Sequence, residues 1–339
     1  MPAGLWAVRS DMRREARLLS FYAELASAGD AELVFERAPV TPAVTVRTVR
    51  PLTFDPEGGQ IEMLRLPSAY VARHPEVRRA YAGFSENSLA WAQHWRHPGG
   101  PRPTLVVIHG FGASPYWFNS RFFDLPGFYR KGYDVLLYLL PFHGVRQARL
   151  AAFSGWGLFA HGIAHLNEAL LQAIEDLRAF LDHLEEHGVR EVAVTGLSLG
   201  GYVTALLAAV DPRPVAVIPN SPVVSIDRLL RQWFPASVLA WLGFHAAGID
   251  PLWVDRALLV HCPLNYRPLV PLERRMIIGG LGDRLAPPEQ AEMLWRHWDE
   301  PAIHWFPGSH LLHFRRRAYI DEMDSFIRGA SSDSAWPGS

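Results

Sequence analysis

The seven residues Thr195-Gly196-Leu197-Ser198-Leu199-Gly200-Gly201 carry the clearest chemical signal in this chain. They follow the apolar run EVAV and precede the helix-like YVTALLAAV. A G-x-S-x-G between a strand and a helix is a nucleophile elbow, and its spacing has a steric reason. The serine sits at a tight turn in which residues two before and two after crowd the backbone, so glycine at 196 and 200 removes the side chains that would collide. The turn holds the Ser198 hydroxyl out and sets a helix N-terminus beneath it, where the dipole favours developing negative charge.

A serine hydroxyl attacks only when a base takes its proton and a carboxylate orients that base. The chain supplies both after the serine. Asp283 lies in Gly280-Leu281-Gly282-Asp283-Arg284-Leu285-Ala286-Pro287-Pro288-Glu289, beyond the strand-like RMIIGG, and His310 lies in Pro307-Gly308-Ser309-His310, beyond AIHWF. Both are expected on loops at the carboxyl ends of strands, where open α/β sheets place their ligand chemistry. Asp227 is the alternative acid, and His313 and His304 are the alternative bases; the Gly-Ser turn favours His310. A tetrahedral intermediate also needs two backbone donors aimed at its oxyanion. One is assigned to the amide of Leu199. The other is assigned to the amide of Phe111, in the turn His109-Gly110-Phe111-Gly112 that ends the run TLVVIH.

These residues need a scaffold. Short continuous apolar runs at 104–109, 134–140, 191–195, 214–219, 275–279 and 302–306 read as strands buried on both faces of a parallel sheet. Between them, 162–187, 201–210, 287–298 and 314–328 carry helical spacing. The alternation predicts an α/β fold, a mostly parallel doubly wound sheet with helices on both faces. Upstream, 11–28 reads as a helix and 43–66 as a strand pair around Pro56-Glu57-Gly58-Gly59. The breaker cluster His97-Pro98-Gly99-Gly100-Pro101-Arg102-Pro103 is expected to end an N-terminal extension over 1–100.

Taken in order, HGFG, TGLSLGG, GLGDRLAPPE and PGSH resemble an α/β-hydrolase-superfamily enzyme. The resemblance covers about 101–329, the expected catalytic domain, with 330–339 as a tail. Within the superfamily, Leu140-Pro141-Phe142-His143-Gly144-Val145-Arg146 and the run VTGLSLGGYVTALLA, followed by VAVIP, are similar to the α/β-hydrolase domain-containing protein 18 family. The resemblance implies the α/β-hydrolase fold and a Ser-His-Asp hydrolase that needs no cofactor. The insertion 223–265, rich in Trp, Leu and Ala, is expected to form a helical cap. Its Trp233, Trp241 and Phe244 are expected to line an acyl pocket, with peripheral lipid contact as a further role for Trp241 and Phe244.

Composition narrows the field. The 339 residues hold 33 Lys+Arg against 34 Asp+Glu, so the chain lacks the basic footprint of a nucleic-acid binder. Lys131 is the only lysine and lies in a polar turn, which disfavours Schiff-base chemistry. Cys262 is the only cysteine, so no disulfide within the chain can form. His161 and His165 have the i, i+4 spacing of a zinc helix, but Gly162 stands where the catalytic Glu would be, and no metal site is expected. His143 reads as a loop-shaping residue rather than a second base. Charged residues interrupt the N-terminus before an apolar core develops, and no segment reads as a membrane span, so a cytoplasmic address is expected. The expected partner is a small-molecule ester or acyl substrate. An acyltransferase, a thioesterase or peptidase, and a catalytically silent binding protein of the same fold are the alternatives.

Overall fold

Six continuous apolar runs of the sequence become six neighbouring parallel strands, and all but the edge strand at 302–306 are buried along nearly their whole length, as strands covered on both faces are. The computed structural model describes residues 3–50, 54–56, 58–232 and 250–331. In chain order the strands are β1 (Thr45–Val49), β2 (Gln60–Pro67), β3 (Leu89–Arg96), β4 (Thr104–Ile108), β5 (Asp134–Leu139), β6 (Val192–Leu197), β7 (Ala216–Asn220), β8 (Met276–Gly280) and β9 (Ala302–Phe306). They form one sheet in the order β1-β2-β3-β5-β4-β6-β7-β8-β9. Strands β4 to β9 are mutually parallel, while β1, β2 and β3 are antiparallel. One face buries Leu166, Leu170, Leu177 and Phe180 of the Ile163–Glu186 helix together with the Leu199–Val210 helix. The other face buries Phe123, Phe128, Tyr319 and Met323.

The first hundred residues are part of this sheet rather than an appendage to it. The strand pair expected in 43–66 is there as β1 and β2, but β3 follows and pairs with β5, matching Trp91 with Leu139 and Trp95 with Val135. The breaker cluster at 97–103 therefore corrects from an end of an extension to the connection between β3 and β4 inside one sheet. Without β3, the backbone edge of β5 would stand open to unwanted pairing. The Ala3–Ser27 helix packs on the Ile163–Glu186 helix, and the buried Glu168 carboxylate links the two. It accepts hydrogen bonds from the Tyr22 hydroxyl (2.5 Å), the Tyr70 hydroxyl and the amides of Arg73 (2.8 Å) and His74 (2.9 Å). Four donors on one carboxylate compensate its burial.

Of the expected cap, 223–232 and 250–265 are described, with helices Ile226–Gln232 and Pro251–Leu258; the second packs on the Ala3–Ser27 helix. Trp233, Trp241 and Phe244 lie outside the described residues. Among the described residues, no helix is long and apolar enough to cross a membrane.

The loop after β5 is anchored by a fully buried ion pair. Arg146 Nη2 lies 2.6 Å from Asp176 Oδ2, with side-chain exposures of 0% and 1%. Arg146 also donates to the carbonyls of Leu139 (3.1 Å) and Asn87 (3.3 Å), and Asp176 accepts from Ser68 Oγ (2.5 Å). Removing one partner strands the other charge in the core. Asp176→Ala should lower stability by about 3–5 kcal/mol in urea unfolding; a loss below about 1 kcal/mol would show that the pair is not a structural anchor.

Candidate active site

The elbow is a strained turn held by backbone contacts. Ser198, between β6 and the Leu199–Val210 helix, has φ 57° and ψ −110°, a conformation that costs a non-glycine residue of order 1–3 kcal/mol. A Cβ on Gly196 would stand 2.4 Å from the carbonyl carbon of Gly200, and one on Gly200 would stand 2.1 Å from the Ile108 oxygen. Both glycines are thus steric requirements, as their spacing suggested. The strain is fixed from outside: the Ser198 amide donates to Asn220 O (2.9 Å), and its carbonyl accepts from the Tyr202 amide (2.8 Å). Leu199 is the first residue of the helix, so its amide is among those with no intrahelical acceptor.

The expected acid and base meet across two loops. His310 Nδ1 donates to Asp283 Oδ2 at 2.6 Å, and Asp283 is fully enclosed. The other carboxylate oxygen, Oδ1, accepts from the amides of Leu285 and Ala286, both at 2.9 Å. With Nδ1 donating to a carboxylate, a neutral His310 keeps Nε2 as the acceptor. The loops are tied together by the Gly282 amide donating to Gly308 O (2.9 Å). Gly308, at φ 145°, admits no side chain, because a Cβ would fall 2.2 Å from Leu312 O.

The alternative residues are engaged elsewhere. His313 stacks on Phe306 with ring centroids 3.9 Å apart; its Nε2 donates to His310 O (3.0 Å) and its Nδ1 accepts from the Tyr319 hydroxyl (2.8 Å). Burial pushes its pKa down to about 4. His304 pairs with Glu322, and Asp227 accepts from Ser225 Oγ. His161 and His165 both pack against Phe84, at 4.6 and 5.8 Å between ring centroids.

The loop after β4 lies against the elbow. A Cβ on Gly110 would stand 3.3 Å from Leu197 O and 3.6 Å from Ser198 Cβ, which brings the Phe111 backbone beside the serine. Two buried histidines and a serine pair shape this loop. His109 Nδ1 donates to Gly110 O (2.8 Å) while Nε2 accepts from the Leu140 amide (3.1 Å). His143 Nδ1 donates to Pro141 O (2.8 Å), and its ring meets that of Phe111 edge-on at 5.7 Å. Desolvation holds His109 down to about 4 and His143 to about 3, so both stay neutral. Ser114 and Ser154 share a hydroxyl hydrogen bond of 2.7 Å, and Ser154 Oγ accepts from the Gly144 amide (3.0 Å). His143 thus shapes the loop, as its sequence position suggested.

Ser198, His310 and Phe111 all line one open cleft of about 490 Å³. Its other walls are largely apolar and include Trp117, Phe118, Leu285 and Leu311. These four wall residues were not singled out in the sequence. Three of them adjoin motifs that were: Leu285 is two residues from Asp283, Leu311 follows His310, and Trp117 is five residues after Gly112.

Comparison with known proteins agrees with this architecture. Residues 105–322 match the alpha/beta hydrolase family, and the chain belongs to that family. It is 32% identical over 254 residues to the uncharacterized protein Rv2627c of Mycobacterium tuberculosis, covering 70% of this chain and 56% of that protein. The chain thus spans a little over half the length of this curated relative. Among solved structures it is similar to an acetyl xylan esterase from Paenibacillus sp. R4 (TM-score 0.61, 18% identity, 93% of this chain and 94% of that one). It is also similar to acetyl xylan esterase 1 from Thermoanaerobacterium sp. JW/SL YS485 (TM-score 0.63, 16% identity, 92% and 94%). At such identities the two structures establish a shared fold.

Proposed function

We propose that the protein is a serine hydrolase of carboxylic esters, with Ser198 as nucleophile, His310 as general base and Asp283 as the group that orients His310. The observation that carries this reading is the 2.6 Å hydrogen bond from His310 to the enclosed Asp283, with His310 and the strained Ser198 lining one cleft. Ser198 Oγ attacks the acyl carbon as its proton passes to His310 Nε2. The Leu199 and Phe111 amides stabilise the oxyanion, and collapse of the intermediate expels the alcohol, which takes that proton. Water, deprotonated by His310, then attacks the acyl-enzyme and releases the acid, regenerating Ser198. The apolar walls favour uncharged esters with apolar acyl groups. Within the family, we place the chain with the α/β-hydrolase domain-containing protein 18 group, on the residues 140–146 and the run VTGLSLGGYVTALLA.

The test is hydrolysis of p-nitrophenyl butyrate titrated with a fluorophosphonate. The expected result is turnover that falls to zero at one equivalent of inhibitor per chain. Absence of turnover from well-folded protein, or turnover indifferent to the inhibitor, would overturn the reading.

A further inference from the structure

A second apolar surface adjoins the cleft, and no element among the described residues buries it. Phe111, which lines the cleft, meets Phe159 at 5.2 Å and Phe153 at 6.0 Å between ring centroids, and Phe153 meets Trp156 at 5.4 Å. All three contacts of this chain of four rings are edge-to-face, and the rings are exposed by 39% (Phe111), 45% (Phe159), 48% (Phe153) and 48% (Trp156). Single exposed aromatics are ordinary, whereas four in contact beside a candidate nucleophile are not.

The surface is built on fixed backbone. Gly155, at φ 93°, passes so close beneath the rings that a Cβ would fall 2.8 Å from Phe111 Cε2 and 2.5 Å from His143 Nε2. The adjacent Ser154 hydroxyl is bonded to Ser114 and to the Gly144 amide. From Leu150 to Ala160 the sequence carries no Asp, Glu, Lys, Arg or His, so nothing there would pair with a charged ligand.

The sheet order says which part of a substrate would reach this surface. Ser198 directly follows β6; His310 follows β9 on one side, and 140–160 follows β5 on the other. The leaving oxygen takes its proton from His310, so the alcohol arm faces the loop after β9 and the acyl arm points the other way. We propose that Phe153, Trp156 and Phe159, continuous with the cleft through Phe111, form the subsite for an extended apolar acyl chain. The inference rests on the ester-hydrolase reading of Ser198 and adds which acyl groups that site selects and where they lie.

The experiment compares kcat/KM for p-nitrophenyl octanoate and acetate in the wild type, in Trp156→Ser, in Phe153→Ser/Trp156→Ser, and in Leu269→Ser. Leu269 is as exposed as the rings, but its amide bonds Ala208 O at the far end of the Leu199–Val210 helix. The wild type should prefer octanoate by at least about tenfold, and the double variant should lose about tenfold of that preference. Trp156→Ser should lose part of it, and Leu269→Ser none. Fluorophosphonate labelling of Ser198 is measured on each protein. Labelling with a wild-type ratio in the double variant overturns the subsite alone, as does a wild type without preference. Absence of labelling in folded wild type overturns the hydrolase reading and the subsite with it. A concentration-dependent dimer that the double variant abolishes, with the ratio unchanged, assigns the rings to contact between copies and overturns the subsite.

Discussion

Ser198→Ala should lower kcat for a p-nitrophenyl ester by roughly ten-thousand-fold or more, with little change in melting temperature. The size follows from what is removed. Without Oγ no acyl-enzyme forms, and only general-base attack by water remains, assisted by whatever the Leu199 and Phe111 amides supply; removing a triad serine elsewhere costs this order. The thermal control follows from the geometry. The turn is held by the Ser198 amide to Asn220 and by its carbonyl to Tyr202, which alanine keeps. The cost of φ 57° is likewise common to both side chains. Kinetics with thermal unfolding in parallel checks this. A loss smaller than a hundredfold in folded protein would mean that another group attacks the ester.

Asp283→Asn should cost about a thousandfold to ten-thousandfold in kcat, and the hydrogen bonds of Asp283 explain why a change so small in shape is so large in effect. Oδ1 accepts from two amides, those of Leu285 and Ala286. An asparagine must turn its carbonyl oxygen to those donors, which points its NH2 at His310 Nδ1. That nitrogen must then accept, and the imidazole proton moves to Nε2, where it can no longer take a proton from Ser198. The ring stays in place in the wrong tautomer. Asp283→Ala should be less specific, since it leaves Leu285 and Ala286 without an acceptor and loosens the loop. The measurement is kcat together with the rate of fluorophosphonate labelling, and both should fall in step. A variant that labels at the wild-type rate would remove Asp283 from the mechanism.

The central sheet was legible because its strands are buried on both faces, and a run such as Leu105-Val106-Val107-Ile108 has no other plausible place. Strand β3 was not legible. Its Trp91, Gln93 and Trp95 alternate with Ala90, Ala92 and His94, and both sets are mixed in polarity, so period two leaves no signature. The Pro and Gly cluster at 97–103 misled for a related reason: breakers mark a reversal of the chain equally well inside a sheet and between domains. The link from Glu168 to Tyr22, Tyr70, Arg73 and His74 spans 94 to 146 residues, a distance at which no local pattern operates.

The candidate site was more legible than the region around it. The glycines at 196 and 200 are imposed by contacts of 2.4 and 2.1 Å, so the spacing itself reports the turn. Asp283 and His310 stand where breakers end an apolar run, which locates loops at strand ends. The cleft walls had no such marker. Trp117 and Phe118 lie on a short helix, Tyr116–Phe122, and become wall residues only because the loop after β4 folds against the elbow.

The most direct test of the account is to treat the protein with diisopropyl fluorophosphate and map the modified peptide by mass spectrometry. The account predicts one adduct per chain, on the peptide that contains Ser198, and none in His310→Ala under the same conditions. An adduct on any other residue, or folded protein that stays unmodified, would contradict it.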